Sequence, residues 1–197
     1  MFAEACTVTF DPLAAIGYCW ELIGLFWLAG MLFTKPTQRS GSLGNRLAQI
    51  LIAVLGGLVI GGYFPLGQWM DAHFLPHTRS VEMAGFAATL AGCLFAAWAR
   101  MTLGTNWSGR ATVKTGHELI VKGPYALVRH PIYTGLLLAL AGTIVAVGRL
   151  RSIAGFFIIV VSIAVKMHQE ERLMEETFPD GYPAYRKRVK ALIPGVL

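Results

Sequence analysis

Two polar stretches in the second half of the chain contain most of the side chains that could do chemistry. The first, residues 117–133, ends with Arg-His-Pro-Ile-Tyr at positions 129–133. Proline is favoured at the first position of a helix, so Pro131 predicts a helix start. The unpaired N–H groups of that first turn would bind a carboxylate or phosphate, with Arg129 and His130 alongside. A basic anchor at a membrane surface has the same composition, so both interpretations stay open here.

The second stretch, residues 166–178, follows a long apolar run and contains Lys166, Glu170 and Glu171. If the apolar helix continues into it, these three side chains emerge on neighbouring turns. Lys166 and Glu170 could simply pair with each other, or the whole stretch could be a solvated amphipathic tail. A carboxylate at a membrane boundary is costly unless something stabilises it, and a ligand with hydroxyl or ammonium groups would do so.

A basic segment with two tyrosines follows the second stretch. The sequence Pro-Asp-Gly at 179–181 predicts a turn, after which Tyr182 and Tyr185 are followed by four basic residues between Arg186 and Lys190. Each basic residue near an anionic leaflet is worth about 1 kcal/mol. Membrane anchoring is therefore enough to explain this segment.

Long apolar segments must position these stretches. Of the 197 residues, 55% are hydrophobic and only 14% are charged, which indicates that lipid is the solvent. Five apolar segments occur, at residues 13–33, 47–64, 81–99, 131–147 and 153–165. The first three reach or approach the ~20 residues that cross a bilayer, whereas the last two are short and tightly connected.

We therefore predict an all-α fold, an integral membrane bundle of five transmembrane helices whose last two form a helical hairpin. Three of these helices fall in residues 1–99, which contain few reactive side chains. Residues 100–197 would form a second unit with a cytosolic loop, the hairpin and a C-terminal cofactor-binding segment. Glycines recur within the apolar segments, and close helix packing is favoured over any direct functional role for them.

The basic residues predict the direction of the bundle. If the loops at 34–46, 100–130 and 166–197 lie on one side, that side holds 14 of the 17 Lys and Arg residues. Positively charged loops stay cytoplasmic, so we expect the N-terminus outside and the C-terminus inside. Arg79, Arg149 and Arg151 are the exceptions, and the last two are the weak point because both would face outward at the hairpin tip. The net charge of +6 is thus explained without nucleic acid, and no basic face suited to nucleic acid occurs.

Other side chains give weaker signals. His73 and His77 have the spacing of a metal pair, but Pro76 lies between them, and we expect no metal site. Glu21 interrupts the first apolar segment, and its partner cannot be named from sequence. The three cysteines, at positions 6, 19 and 93, suggest neither a disulfide framework nor a zinc site. Phosphate-binding loops and serine-nucleophile motifs do not occur.

One series of motifs is specific when taken together. Gly-x-Tyr-x-x-x-Arg-His-Pro-x-Tyr at 123–133 is followed by the hairpin, by Glu170-Glu171, by Phe-x-x-x-Tyr-x-x-Tyr at 178–185, and by Ile-Pro at 193–194. This order and spacing resemble the isoprenylcysteine carboxyl methyltransferase family, and phospholipid methyltransferases are more distantly similar. The resemblance covers roughly residues 100–197.

The resemblance implies S-adenosylmethionine as methyl donor, bound near the cytoplasmic face of a five-helix bundle. The positions that match the family's cofactor contacts are Arg110, His117, Glu118, Leu119, Ile120, Tyr125, His130, Pro131, Ile132, Tyr133 and Glu170. Lys166 stands where relatives that act on prenylated cysteine have a substrate-contacting arginine. Lysine can neutralise a carboxylate but lacks the bidentate fork of arginine. The expected acceptor is accordingly a lipid or a prenylated small molecule, with membrane lipids as the surroundings.

Methyl transfer to a carboxylate is a direct displacement, so we expect no dedicated catalytic base. Carboxyl O-methylation is favoured over phospholipid N-methylation, because an amine acceptor would need a base. A second alternative is an NADPH-dependent membrane reductase whose 2′-phosphate would bind the cluster at residues 186–190. A non-enzymatic transporter or scaffold is the third, and the odd number of segments without an inverted repeat disfavours a transporter.

Overall fold

A computed structural model describes residues 10–32, 37–40, 43–104, 112–114 and 119–196. In that part of the chain the helices are α1 (Pro12–Met31), α2 (Leu43–Ile60), α3 (Arg79–Leu103), α4 (Pro131–Val147), α5 (Leu150–Thr177) and α6 (Tyr182–Arg188). Short 3-10 turns occupy Gln68–Asp71 and Gly123–Ala126. Two short strands, β1 (Thr37–Ser40) and β2 (Thr112–Lys114), pair antiparallel with Thr37 opposite Lys114 and Ser40 opposite Thr112.

The fold is therefore mainly helical, and each of the five predicted apolar segments coincides with a helix. Three of the helices are long and apolar enough to cross a membrane, at Pro12–Gly30, Arg79–Leu103 and Leu150–Thr177. The apolar parts of α2 and α4 are shorter. The membrane class is confirmed, whereas the count of five crossings stays a prediction. The all-α fold class is confirmed, and the structure adds one feature that was not predicted, the short polar pair β1 and β2, which has no alternating apolar pattern.

Local signals explain where the helices begin and end. Asp11 caps α1 because its side chain accepts from the N–H of Leu13 at 2.9 Å, and Pro12 occupies the first helical position. Gly148 ends α4 with a left-handed backbone (φ +64°), and α5 starts two residues later. Helix α5 then continues twelve residues past the predicted segment end at residue 165, because good helix formers such as Glu and Leu follow it.

Glycines bring α3 and α4 into backbone contact. A Cβ at Gly92 would lie 2.4 Å from the backbone N of Ala139, and one at Gly142 would lie 2.5 Å from the backbone N of Thr89. Helices α2 and α5 meet in the same manner, where a Cβ on Gly155 would lie 2.6 Å from the carbonyl oxygen of Gly56. No side chain fits at these points, which confirms that the recurring glycines serve helix packing.

Contacts between the helices show which segments share an end of the bundle. Arg100 donates to the carbonyl of Gly30 at 2.8 Å, so α1 and α3 finish together. Gln49 near the start of α2 donates to Gln169 near the end of α5 at 3.1 Å. The described parts of the three basic loops thus lie at one end, called here the site end.

The opposite end holds the start of α1, the segment between α2 and α3, and the α4–α5 connection. Phe74 N–H donates to the carbonyl of Gly148 at 2.8 Å, which fastens that segment to the hairpin. Asp71 forms an ion pair with Arg151 and lies 3.9 Å from Arg149. Both arginines that the charge rule does not explain at the hairpin tip therefore lie beside one carboxylate.

Candidate functional site

The start of α4 is held by a buried turn. Gly123 has a left-handed backbone (φ +60°), and Pro124 and Pro131 are fully buried on either side of Val128. His130 occupies the N-cap position, but its side chain does not cap the helix. The N–H groups of the next residues, Ile132 and Tyr133, are ones that a helix leaves without an intrahelical acceptor. This confirms the predicted helix start and leaves donors suited to an anionic group.

Glu171 lies at the centre of a charged network beside that helix start. Arg129 donates to Glu171 Oε1 through Nε at 2.9 Å and through a terminal nitrogen at 2.6 Å. His130 Nε2 lies 3.1 Å from the same oxygen. An ionised carboxylate only accepts hydrogen bonds, so Nε2 carries the proton in this contact. The side chains of Arg129 and His130 are both 9% exposed, so this network is buried.

Glu170 faces the same helix start from the next position on α5. Tyr133 donates its hydroxyl to Glu170 Oε1 at 2.7 Å, and His130 Nδ1 lies 3.8 Å from Oε2. The His130 and Tyr133 rings stack with centroids 5.7 Å apart. The Glu170 side chain is 23% exposed, compared with 13% for Glu171. Glu170 therefore keeps acceptor capacity and access that Glu171 has lost.

Lys166 lies one turn before Glu170 on α5, near the same aromatic ring. Its Nζ is 5.6 Å from the centroid of the Tyr133 ring, a cation–π distance. The predicted neighbouring-turn arrangement is confirmed, and Tyr133 connects the cation and the carboxylate. The site thus places a positive and a negative group on either side of one tyrosine.

The C-terminal tail forms one wall of the site. The N–H groups of Arg129 and His130 donate to the carbonyls of Lys190 at 2.8 Å and Ala191 at 3.0 Å. Thr134 Oγ1 donates to the carbonyl of Leu192 at 2.8 Å. Helix α6 buries two side chains, and the residue that follows it buries a third, against α5 and Leu119. The cluster consists of Tyr182, Tyr185, Val189, Leu119, Met174 and Phe178.

Tyrosines in this wall act as hydrogen-bonding groups. Tyr185 donates its hydroxyl to the carbonyl of Tyr125 at 2.6 Å, which ties α6 to the turn before α4. Burial, assisted by the nearby charge of Glu170, raises the pKa of Tyr125. Burial raises the pKa of Tyr185 to about 12, and burial together with the charge of Glu171 raises the pKa of Tyr182. All three phenols are therefore neutral at physiological pH and are unsuited to act as bases.

The structure brings most of the described predicted residues together. The residues that meet at the site end are Tyr125, His130, Pro131, Ile132, Tyr133, Lys166 and Glu170. Leu119 packs against α6, and Ile120 is half-buried beside it. Arg110, His117 and Glu118 lie outside the described residues.

Two members of the network were not predicted as site residues. Arg129 was expected to lie beside a bound anion, but it bonds Glu171 and the carbonyl of Val189 at 2.6 Å instead. The signal for this pairing was the Glu-Glu sequence, since one carboxylate can neutralise the arginine while the other stays accessible.

At the opposite end, His77 Nδ1 lies 3.0 Å from Glu82, and His73 contacts the His77 ring edge-on. Among the described residues no group of three or more possible ligands could hold a metal.

Comparison with known proteins gives one consistent family. Residues 83–176 match the family model of the isoprenylcysteine carboxyl methyltransferase (ICMT) family. The chain is 34% identical over 79 residues to the protein-S-isoprenylcysteine O-methyltransferase of Schizosaccharomyces pombe, covering 40% of this chain and 34% of that protein. It is 32% identical over 81 residues to protein-S-isoprenylcysteine O-methyltransferase B of Arabidopsis thaliana, covering 41% of each.

The chain thus spans well under half the length of these two relatives. The matched region nevertheless includes both halves of the site, from the helix start at Pro131 to Glu170 and Glu171 on α5. Over residues 83–176, the chain is therefore similar to the isoprenylcysteine carboxyl methyltransferase family.

Proposed function

We propose that this chain transfers a methyl group from S-adenosylmethionine to a lipid-like acceptor in the membrane, and that the reaction is carboxyl O-methylation of the isoprenylcysteine type. The observation that carries the proposal is the meeting of Glu170 with the open helix start at His130–Tyr133. One side of this meeting point offers donors for an anion, and the other offers an acceptor for a cation. An amino acid group, with its carboxylate and its ammonium, needs both.

The chemistry of the residues fits such a donor. The N–H groups of Ile132 and Tyr133 would hold its carboxylate, and Glu170 would accept from its ammonium or hydroxyl groups. The faces of Tyr125 and Tyr133 suit a sulfonium cation or an adenine. The matching cofactor positions of the family, from Arg110 and His117 through Leu119 and Ile120, would complete the pocket together with Glu118 and Pro131.

Lys166 would orient the acceptor. Its ammonium lies beside the Tyr133 ring, and Lys166 is one helical turn before Glu170 on α5. A carboxylate acceptor would pair with this cation while its apolar part stays in lipid between the helices. Because lysine forms a point contact where arginine forms a fork, the acceptor carboxylate is held less rigidly here.

The reaction itself requires that the acceptor oxygen be aligned with the methyl group and that water be excluded. The acceptor's carboxylate oxygen forms a bond to the methyl carbon while the sulfur–methyl bond breaks, which leaves a methyl ester and a neutral thioether. The charges of carboxylate and sulfonium cancel, and no proton moves, which agrees with three neutral tyrosines and no free base in the described wall. The tail from Val189 to Leu192 would exclude water from this point. We also propose that the site end faces the cytoplasm, because it holds most of the basic loops.

A labelling experiment tests the proposal. Purified protein in lipid nanodiscs is given methyl-tritiated S-adenosylmethionine with either a prenylated cysteine that has a free carboxylate or phosphatidylethanolamine. We expect base-labile label, as in a methyl ester, on the first acceptor only. Label on the ethanolamine lipid would favour the N-methyltransferase alternative. A thermal shift with NADPH but not with S-adenosylmethionine would favour the reductase, although Arg186, one of its expected phosphate ligands, already pairs with Glu175.

A further inference from the structure

A pair of glutamine side chains joins α2 to α5 at the site end. Gln49 Nε2 donates to Gln169 Oε1 at 3.1 Å, and both side chains are half-buried. Further along the same two helices the backbones approach closely, since a Cβ on Gly155 would lie 2.6 Å from the carbonyl oxygen of Gly56. The glutamine pair is therefore a polar contact at the end of this helix interface that holds the candidate site.

The pair leaves hydrogen-bonding capacity on Gln169. A glutamine amide has two N–H donors and one carbonyl oxygen that accepts. The contact with Gln49 uses the oxygen of Gln169, and within the described part of the chain its side chain makes no other hydrogen bond. If both amides were turned over, Gln169 would donate one N–H and still keep the other. In either orientation a half-buried donor remains for a ligand, and leaving such a donor unpaired is costly.

Gln169 stands on the acceptor side of Lys166. It lies three residues after Lys166 on α5, and Glu170 lies four residues after it. With about 3.6 residues per turn, these two positions fall on opposite sides of the line through Lys166. Glu170 turns toward Tyr133 of α4, and Gln169 turns toward Gln49 of α2. Because the proposed methyl donor lies on the Glu170 side, an acceptor that pairs with Lys166 meets Gln169 on the other side.

We propose that Gln169 binds the acceptor's carboxylate together with Lys166, and that Gln49 is a positioning residue that holds the Gln169 amide in place. This role rests on the proposed function, because the carboxylate is that of the same acceptor. A carboxylate has about four lone-pair positions, so it accepts from the Gln169 N–H while it pairs with the Lys166 ammonium. Lys166 alone is a point contact, whereas two donors on one turn of a helix fix the plane of the carboxylate, as the fork of an arginine would.

Acceptor kinetics at saturating S-adenosylmethionine test the role of Gln169. Gln169→Met keeps the length of the side chain and removes its donors. We expect it to raise the KM for a prenylated cysteine with a free carboxylate about tenfold, the equivalent of one hydrogen bond to a charged group. Gln169→Glu should raise KM at least as much, although its carboxylate still accepts from Gln49. A pair that only joined the two helices would give the opposite order, so a Gln169→Glu variant with the KM of the unsubstituted chain overturns the proposal.

Three further measurements exclude indirect effects. In a Lys166→Ala background, Gln169→Met should still raise KM several-fold, and no further rise would overturn direct binding by Gln169. The methyl ester of the acceptor is uncharged, so its inhibition constant should change far less than KM in Gln169→Glu; an equal weakening would indicate a distorted pocket and overturn the proposal. Arg172→Gln alters the charge of α5 by the same one unit, and because Arg172 is exposed it should leave KM unchanged. A rise in KM equal to that of Gln169→Glu would assign the effect to general charge instead.

Gln49 is tested by the separation of KM from kcat. Gln49→Leu leaves the Gln169 amide present but unrestrained, so KM should rise about threefold, the cost of ordering one side chain again, with kcat unchanged. An unaltered KM would remove the positioning role. An unsubstituted chain that methylates no carboxylate acceptor would refute the proposed function and this contact with it, whereas an active chain whose Gln169 variants keep the original KM would refute this contact alone.

Discussion

Each end of the bundle contains a buried arginine paired with a carboxylate, yet the two pairs have different surroundings. At the opposite end, Arg151 pairs with Asp71 and donates to the carbonyl of Phe64 at 3.4 Å. At the site end, Arg129 pairs with Glu171 and also reaches the carbonyl of Val189. Both arginines fasten a non-helical segment to the bundle. The Arg151 pair has a second arginine, Arg149, beside it, whereas the Arg129 pair has a histidine and a second carboxylate beside it.

The two ends differ in whether a second carboxylate beside the ion pair stays accessible to a ligand. Glu171 is engaged by both Arg129 and His130, which holds the imidazole with its other nitrogen toward Glu170. Glu170 bonds Tyr133 and keeps an accessible oxygen. Of the two adjacent carboxylates, Glu171 therefore stabilises the fold, and Glu170 is the one that can bind a ligand. The Arg151 pair has no second carboxylate next to it in sequence, and its end of the bundle offers no comparable cluster among the described residues.

The largest expected effect is on stability at the site end. Arg129→Ala leaves Glu171 largely buried without its most closely bonded partner, and breaking a buried ion pair in this way costs about 3–5 kcal/mol. We expect a large loss of thermal stability in detergent, together with loss of methyl transfer. Arg129→Lys should recover part of the stability, because the charge remains while the two-nitrogen contact is lost. A fall of less than ~1 kcal/mol for Arg129→Ala would contradict the buried network.

The second largest effect is on donor binding, and it tests whether Glu170, and not Glu171, is the ligand-binding carboxylate. Glu170→Gln should weaken S-adenosylmethionine binding roughly 10- to 100-fold, the equivalent of one charge-assisted hydrogen bond, without loss of folded protein. Titration calorimetry measures the affinity, and thermal unfolding measures the folded state. Glu176→Gln is the matched control, since Glu176 is exposed on the same helix and should leave the affinity unchanged. An unaltered affinity in Glu170→Gln would remove Glu170 from the donor site.

The separate roles of Glu170 and Glu171 could not be predicted from the sequence, although much of the surrounding site could. The Pro131 helix start, the continuation of α5 and the meeting of the two polar stretches follow from local rules, namely proline position, helical period and motif order. Which carboxylate would neutralise Arg129 depends on the rotation of α5 about its own axis, which the backbone contact between Gly155 and Gly56 of α2 constrains. A one-residue difference in helix phase would exchange the two roles, so periodicity alone could not assign them.

In the remainder of the fold, too, local features were predictable and long-range contacts were not. The five apolar segments were predictable from composition, since each is a run of apolar residues bounded by polar ones. The pairing of β1 with β2 was not, because it joins two short polar segments far apart in sequence. The Asp71–Arg151 pair was also missed, since it depends on how the segment between α2 and α3 folds back over the hairpin.

A third prediction concerns the opposite end. Asp71→Asn should lower stability by about 1 kcal/mol or somewhat more, because Arg151 loses its countercharge while the carbonyl of Phe64 still accepts from it. Donor affinity should remain unchanged within about twofold. Calorimetry and thermal unfolding of the same sample check both points. A matching loss of donor affinity would show that the two ends of the bundle are coupled.

The smallest expected effect is on the acceptor. Lys166→Ala should raise the KM for a carboxylate acceptor about five- to tenfold with little change in donor affinity, since one point charge is removed from the side of Tyr133. Lys166→Arg should lower that KM, because a guanidinium can hold a carboxylate through two nitrogens. Arg172→Ala serves as control, since Arg172 is an exposed cation six residues further along α5. Initial rates measured over a range of acceptor concentrations distinguish the variants. If Arg172→Ala raised KM as much as Lys166→Ala, general attraction to positive charge would explain the effect, and Lys166 would lose its assigned contact with the acceptor.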